Sequence, residues 1–204
     1  MKGPQMIKLL IATNNPAKLR EYLEILRDLP LALTSLAQEG IDLMVEEKGK
    51  SYAENAILKA RAYARASGLL TLADDSGLEV EALEGEPGIL SSRYAGPGAS
   101  DEERNQLLLR RLQGIPWEQR RARFRCTIAI ATPEGEVQTV EGTCEGIIAF
   151  EPRGKHGFGY DPIFYLPQYG CTMAELPPEV KNRISHRARA AQKAKAILER
   201  MLER

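Results

Sequence analysis

Cysteine is scarce in this chain: Cys126, Cys144 and Cys171 are the full complement in 204 residues. Their number is odd and no Cys-x-x-Cys pair occurs, which argues against a disulfide framework or zinc site and fits reduced, cytoplasmic thiols. Net charge is lacking too. Twenty-eight Lys and Arg balance 28 Asp and Glu, so no overall field draws the chain to nucleic acid or an anionic membrane, and any polyanion site must be local. No apolar run approaches the roughly 18 residues needed to span a bilayer. Met1-Lys2-Gly3-Pro4-Gln5-Met6 leads into a short strand-like run rather than a signal peptide, so a soluble protein is expected. Repeats, low-complexity tracts and an obvious linker are also missing. What is present is 43% hydrophobic content, enough for one sizeable core, which favours a single domain over 1–204, with two lobes of one sheet as its variant.

Ile7 to Ala12 reads as a buried strand, and Asn15-Pro16 as an N-cap with proline at the first helical position. A helix to about Leu29 should follow, with Leu19, Leu23 and Leu26 at helical spacing and Lys18 in its first turn. Ser51-Tyr52-Ala53-Glu54 is a capping box that opens a second helix, on which Asn55 and Lys59 share a face. Ser100 to Glu103 repeats that pattern before a Leu-rich helix ending near Gly114. Ala122 to Thr132 predicts a core strand, Pro133-Glu134-Gly135 a turn, and Val137 to Phe150 one or two further strands. The amino-terminal strand and helix pattern favours crossover pairing and the middle an antiparallel arrangement, so the fold class is α/β with a mixed sheet. A last helix runs from about Ser185 to Leu202.

Five constellations carry possible chemistry. Asp74-Asp75-Ser76-Gly77 joins two acids at the end of an apolar run; the pair is good turn chemistry, or it holds a divalent cation through hard oxygens. Thr13-Asn14-Asn15-Pro16-Ala17-Lys18 lies between a strand and a helix start, where backbone donors and the dipole favour phosphate; it lacks the glycines of a Walker A loop, and the plain alternative is a capped helix. Val45 to Lys50 holds a second acid pair, either a solvated loop or a source of one glutamate, Glu46 or Glu47, for a metal shell shared with Asp75. Gly154 to Pro162 sets Phe158 and Tyr160 among glycines. Such a loop either closes tightly on its aromatics or offers a stacking surface for a base, with Asp161 to read its edge. Lys181 to Arg187 places His186 and Arg187 at a helix start, where cations oppose the dipole; this is a solvated basic surface or a site for an acceptor-rich ligand.

Taken in order, these segments resemble the Ham1-like inosine/xanthosine triphosphate pyrophosphatase family. The resemblance is carried by Ala12 to Lys18, Glu54 to Ala60, Ala73 to Leu78, Pro87-Gly88-Ile89, Ser92-Arg93-Tyr94, Gly157 to Pro162 and Ile184 to Arg187, and spans nearly the whole chain. Two places depart from the usual pattern, Lys155-His156 before Gly157 and the Thr13-Asn14-Asn15 opening; neither removes a charged group. The resemblance implies an elongated mixed β-sheet flanked by helices, in two lobes with a central cleft, and a homodimer. It implies Mg²⁺-dependent hydrolysis of ITP, dITP and XTP to monophosphate and pyrophosphate, which clears them from the nucleotide pool. It implies Glu47 and Asp75 as metal ligands supported by Asp74, and Asp75 as proton acceptor. Thr13, Asn14, Asn15 and Lys18 match the triphosphate loop, Lys59 lies near the phosphates, and Ser76 contacts substrate. Phe158, Gly159, Tyr160, Asp161, Lys181, His186 and Arg187 match the nucleotide-binding positions.

The chemistry of that set is coherent. Lys18 and loop N–H groups would offset phosphate charge while Asp75 takes a proton from water. Donors on Lys181, His186 and Arg187 would reward the six-keto oxygen of inosine and xanthosine over the amine of adenosine; guanine shares that keto group, so its rejection needs another device. Two rivals differ in outcome. A carboxylate-nucleophile phosphatase prefers Asp-x-Asp and releases orthophosphate. A nucleotide or nucleic-acid binding protein without hydrolysis would use the basic last helix and Arg120 to Arg125; neutral overall charge argues against it, and neither nucleic acid nor membrane is expected as a partner.

Overall fold

The computed structural model describes residues 6–203; the reading of Met1 to Gln5 lies outside the described residues. Strand β1 (Lys8–Ile11) is buried at Leu9, Leu10 and Ile11 and pairs in parallel with both β2 (Ala32–Ser35) and β3 (Leu70–Val80). A strand hydrogen-bonded on both edges within a parallel set is covered on both faces, which is why its sequence is continuously apolar. Between them come α1 (Pro16–Ile25), capped by the Asn15 side chain, and α2 (Tyr52–Ser67), ended by Gly68 at a φ of 68°. Helix α1 stops short of Leu29. Pro30 disfavours helical backbone at the residue before it, and Leu26 to Leu31 form turns instead. Its buried face is Tyr22 and Ile25, continued by Leu26, while Leu23 is exposed.

The remaining elements are α3 (Asp101–Arg111), β4 (Arg121–Ala131), β5 (Val137–Ile148), β6 (Phe164–Leu166), β7 (Cys171–Thr172), α4 (Pro178–Ile184) and α5 (His186–Leu202). The seven-stranded sheet has the order β2-β1-β3-β4-β5-β6-β7, with β5/β6 and β6/β7 antiparallel, so it is mixed. The segment after Val137 makes one long strand rather than two. Asp74-Asp75-Ser76-Gly77 is not a turn: it lies inside β3, beyond the Leu70–Leu72 stretch that pairs with β1, and its place in the sheet beside β4 overrides the local turn preference.

The chain divides into two compact units. The first comprises the chain up to Asp75, Cys126–Gly142 and the residues from Arg189 on; the second comprises Ser76–Arg125 and Thr143–Ala188. The first unit's core is rich in alanine: Ala56, Ala60 and Ala64 of α2 pack with Ala73, Ala129 and Ala131 of the sheet around Leu10 and Tyr63. Small side chains on both surfaces let helix and sheet approach closely. The second unit's core uses larger groups, Leu78, Leu108, Leu112, Phe124, Tyr160, Phe164 and Met173. None of the three cysteines is in a disulfide. Among the described residues no helix is long and apolar enough to cross a membrane.

Candidate active site

In the first unit, β3 delivers Asp74 and Asp75 to one buried cluster, with side chains supplied by α1, α2 and the 41–50 loop. Lys18 Nζ of α1 lies 3.0 Å from Asp74 Oδ2, and the Cys126 thiol donates to the same oxygen at 3.7 Å. One oxygen of Asp74 thus holds Lys18 beside the carboxylates of Asp75 and Glu47. Lys59 Nζ of α2 lies 2.5 Å from Glu47 Oε1. Asp75 Oδ2 accepts from Asn55 Nδ2 at 2.9 Å. Burial pushes the Asp75 carboxyl above the ordinary carboxylate range, against the pull of Lys59 and the Asn55 hydrogen bond, and the Glu47 charge adds to the rise. Burial pulls Lys59 down, but Asp74, Glu47 and Asp75 together outweigh it and hold its ammonium above the usual lysine range.

Asn55 and Tyr63, both on α2, escaped the sequence reading as site residues. Asn55 is fully buried, and its Oδ1 accepts from the Gly49 N–H at 2.7 Å, which turns its NH₂ toward Asp75. A side chain at Gly49 would sit 2.6 Å from that oxygen, so the turn beside Glu47 requires glycine. Tyr63 donates its hydroxyl to Leu43 O at 3.0 Å. Helix α2 therefore pins the loop on both sides of Glu47. The spacing of Asn55 and Lys59 on one helix face was the available signal.

At the start of α1, Asn15 Oδ1 accepts from the N–H groups of Ala17 and Lys18, and Thr13 Oγ1 accepts from the Asn15 N–H. Those helix N–H groups cap onto Asn15, so the phosphate reading of this loop rests on the Lys18 side chain rather than on them. Asn14 is exposed, with Nδ2 3.7 Å from Met44 Sδ.

The second unit holds the other predicted residues. Lys181 Nζ lies 2.5 Å from Asp161 Oδ2, both side chains buried, and the Phe158 N–H donates to the same oxygen at 2.9 Å. The Phe158 ring carries Lys181 Nζ 4.5 Å from its centroid and the Arg187 guanidinium carbon at 5.4 Å. Arg187 Nη2 donates to Ser76 Oγ at 3.2 Å. Three of the predicted residues are enclosed here. Tyr160 is buried in the core with its hydroxyl on Ser91 O at 2.7 Å, so its ring is not open as a stacking surface. Asp161 is buried and braces the loop and Lys181 rather than standing open to a base edge. His186 lies flat on Phe124, ring centroids 4.6 Å apart and 13° between planes. Gly159, at a φ of 63°, has both backbone groups on α3.

A family model described as the Ham1 family matches residues 9–197. The chain belongs to the Ham1 family. Its Ham1 relatives include a dITP/XTP pyrophosphatase of Desulforamulus reducens, 50% identical over 195 residues that cover 96% of this chain and 97% of the relative. Another, from Geobacter sulfurreducens, is 51% identical over 185 residues, 91% of this chain and 93% of that one. The solved structure of a HAM1 protein from Coxiella burnetii superposes with a TM-score of 0.87 at 44% identity, covering 96% of this chain and 100% of that one.

In this Ham1 chain the first cluster suits a hard divalent cation. Among the described residues no three His, Cys, Asp or Glu side chains gather into a ready ligand set. Mg²⁺ does not need one, because it is commonly held by one or two carboxylates plus substrate phosphates and water. The donors are all carboxylate oxygens, and Glu47, Asp74 and Asp75 outnumber the two lysines beside them. The residues fit the ion.

Proposed function

We propose that this protein is a nucleoside-triphosphate pyrophosphatase that hydrolyses dITP, ITP and XTP to the monophosphate and pyrophosphate, in the cytoplasm and as a homodimer. The observation that carries the reading is Asp75: a buried carboxylate with a raised pKa, oriented by Asn55 and set among lysines that favour phosphate. Asp75 accepts a proton from the water that attacks the α-phosphorus, and the bond to the β-phosphate oxygen breaks to release pyrophosphate. Lys18 and Lys59 offset charge on the phosphate oxygens, the positioning and electrostatic work that dominates phosphoryl transfer. Glu47 and Asp75 would hold Mg²⁺, which when bound neutralises phosphate charge and makes water more acidic. In the second unit the Phe158 ring stacks on the base, and Lys181 and Arg187 supply donors for a six-keto oxygen.

A panel of dITP, XTP, dGTP and dATP with Mg²⁺, resolved for nucleotide and phosphate products, tests this. The expected result is monophosphate and pyrophosphate from dITP and XTP with dATP spared. Orthophosphate as the product would favour a carboxylate-nucleophile phosphatase, and tight binding without turnover a nucleotide-binding role.

A further inference from the structure

We infer that helix α3 positions the base-stacking loop, with Asp101 and Asn105 as its positioning residues; this rests on the reading of Phe158 as the stacking surface. The residue after Phe158 is held at both of its backbone groups. The Gly159 N–H donates to Asp101 Oδ2 at 2.6 Å, and the Gly159 carbonyl accepts from Asn105 Nδ2 at 3.1 Å. Asp101 and Asn105 are four residues apart and so share one face of α3.

That face is rigid for reasons independent of the loop. Ser100 and Glu103 form a full capping box, Asp101 pairs with Arg104, and Arg104 donates to Ser92 O at 3.0 Å. Leu108 and Leu112 anchor the far end in the core. Asn105 is buried, and its Oδ1 has no hydrogen-bond partner among the described residues. Turning the amide over would set that oxygen against the Gly159 carbonyl, acceptor to acceptor. The fold bears the cost of one unpaired buried oxygen and keeps the donor on the loop.

The consequence falls on Phe158. Its N–H is held by Asp161, its neighbour Gly159 by α3, and the next residue, Tyr160, by Ser91. With the backbone fixed at Phe158 and Gly159 and the next residue, Tyr160, anchored through its side-chain hydroxyl, the ring stays where Lys181 and Arg187 lie over it. Releasing Gly159 lets the ring shift against those two cations, and with it the alignment of a stacked base to the donors that prefer a keto oxygen.

Equilibrium dissociation constants for dITP and dATP, beside turnover of dITP, test the assignment in the full chain. Asn105→Ala should weaken dITP binding about tenfold, the loss expected for one buried hydrogen bond plus a loosened loop, while saturated turnover stays within about twofold. The preference for dITP over dATP should fall with it, because dATP does not use the keto-specific donors. Asp101→Ala should act alike, and Asp101→Asn, which keeps an acceptor for the Gly159 N–H, should restore most of the preference. Folded variants with unchanged dITP affinity and unchanged preference would overturn the positioning role, as would a loss equal for both nucleotides. If Asp101→Ala does not fold, Asn105→Ala decides. The two readings fail separately: a parent protein that binds dITP without turning it over overturns the proposed reaction, while the affinities still judge α3.

Discussion

The two units handle charge in opposite ways. In the first, three carboxylates face two lysines, each lysine already seated on an acid, Lys18 on Asp74 and Lys59 on Glu47. A triphosphate entering so nearly balanced a cluster needs further positive charge, which is the physical reason to expect a divalent cation there. In the second, two buried cations, Lys181 and Arg187, share one aromatic ring, Phe158, and Lys181 also pairs with the Asp161 carboxylate. Two cations beside a flat apolar ring are suited to the keto-bearing base proposed above rather than to a metal. The difference teaches that charge balance, more than the presence of charge, separates a site for chemistry from a site for recognition.

The comparison can be broken most sharply at Asp75. Asp75→Asn should lower dITP turnover by about a thousandfold or more, as loss of a proton acceptor and a charge near the reacting centre requires, with dITP binding largely kept. The same variant should melt at or above the parent temperature without metal. The sign follows from the raised native pKa: the ionised carboxylate is disfavoured by folding, so it costs stability above the unfolded-state pKa and is relieved as pH falls through the native one. Accordingly the parent should gain stability relative to Asp75→Asn as pH is lowered over that range, which paired melting curves would show.

Phe158→Ala should weaken dITP binding by about ten- to a hundredfold, the worth of one stacked base, with a smaller effect on saturated turnover. Asp161→Asn should destabilise the protein by about 2 kcal/mol in chemical unfolding, because a charge-assisted bond to Lys181 becomes a neutral one. Here the acids of the two units part: removing the Asp75 charge spares stability, and removing the Asp161 charge does not. The smallest effect should come from Lys48→Ala. Its partner Glu46 is exposed like itself, although both adjoin Glu47, and such pairs contribute about 0–1 kcal/mol. A large loss of turnover in that variant would show that the first cluster extends into the exposed part of the loop.

Much of the fold could be read where the cause is local. Ser100 and Glu103 make their capping box, Asn15-Pro16 starts α1, and the turn at Pro133-Glu134-Gly135 joins two long strands. The Ser51 box is only half formed, since Glu54 reaches the Lys50 N–H instead of its cap. Where the cause is distant, the reading fell short. Asp74-Asp75-Ser76-Gly77 has the local chemistry of a turn, and only its pairing partners make it a strand. Lys18 and Asp74, or Asp101 and Gly159, meet across a sequence separation that no periodicity spans. Tyr160 and Phe158 look alike in a glycine-rich run, yet one packs into the core and the other carries the two cations, a distinction set by burial alone.

The division of labour between the clusters is tested most directly by a double-mutant cycle on kcat/KM for dITP, using Asp75→Asn, Phe158→Ala and the two combined. Separate jobs predict that the losses add as free energies to within about 0.5 kcal/mol. A double variant scarcely worse than Asp75→Asn alone would contradict the account, because it would mean that Phe158 acts through the same chemistry as Asp75.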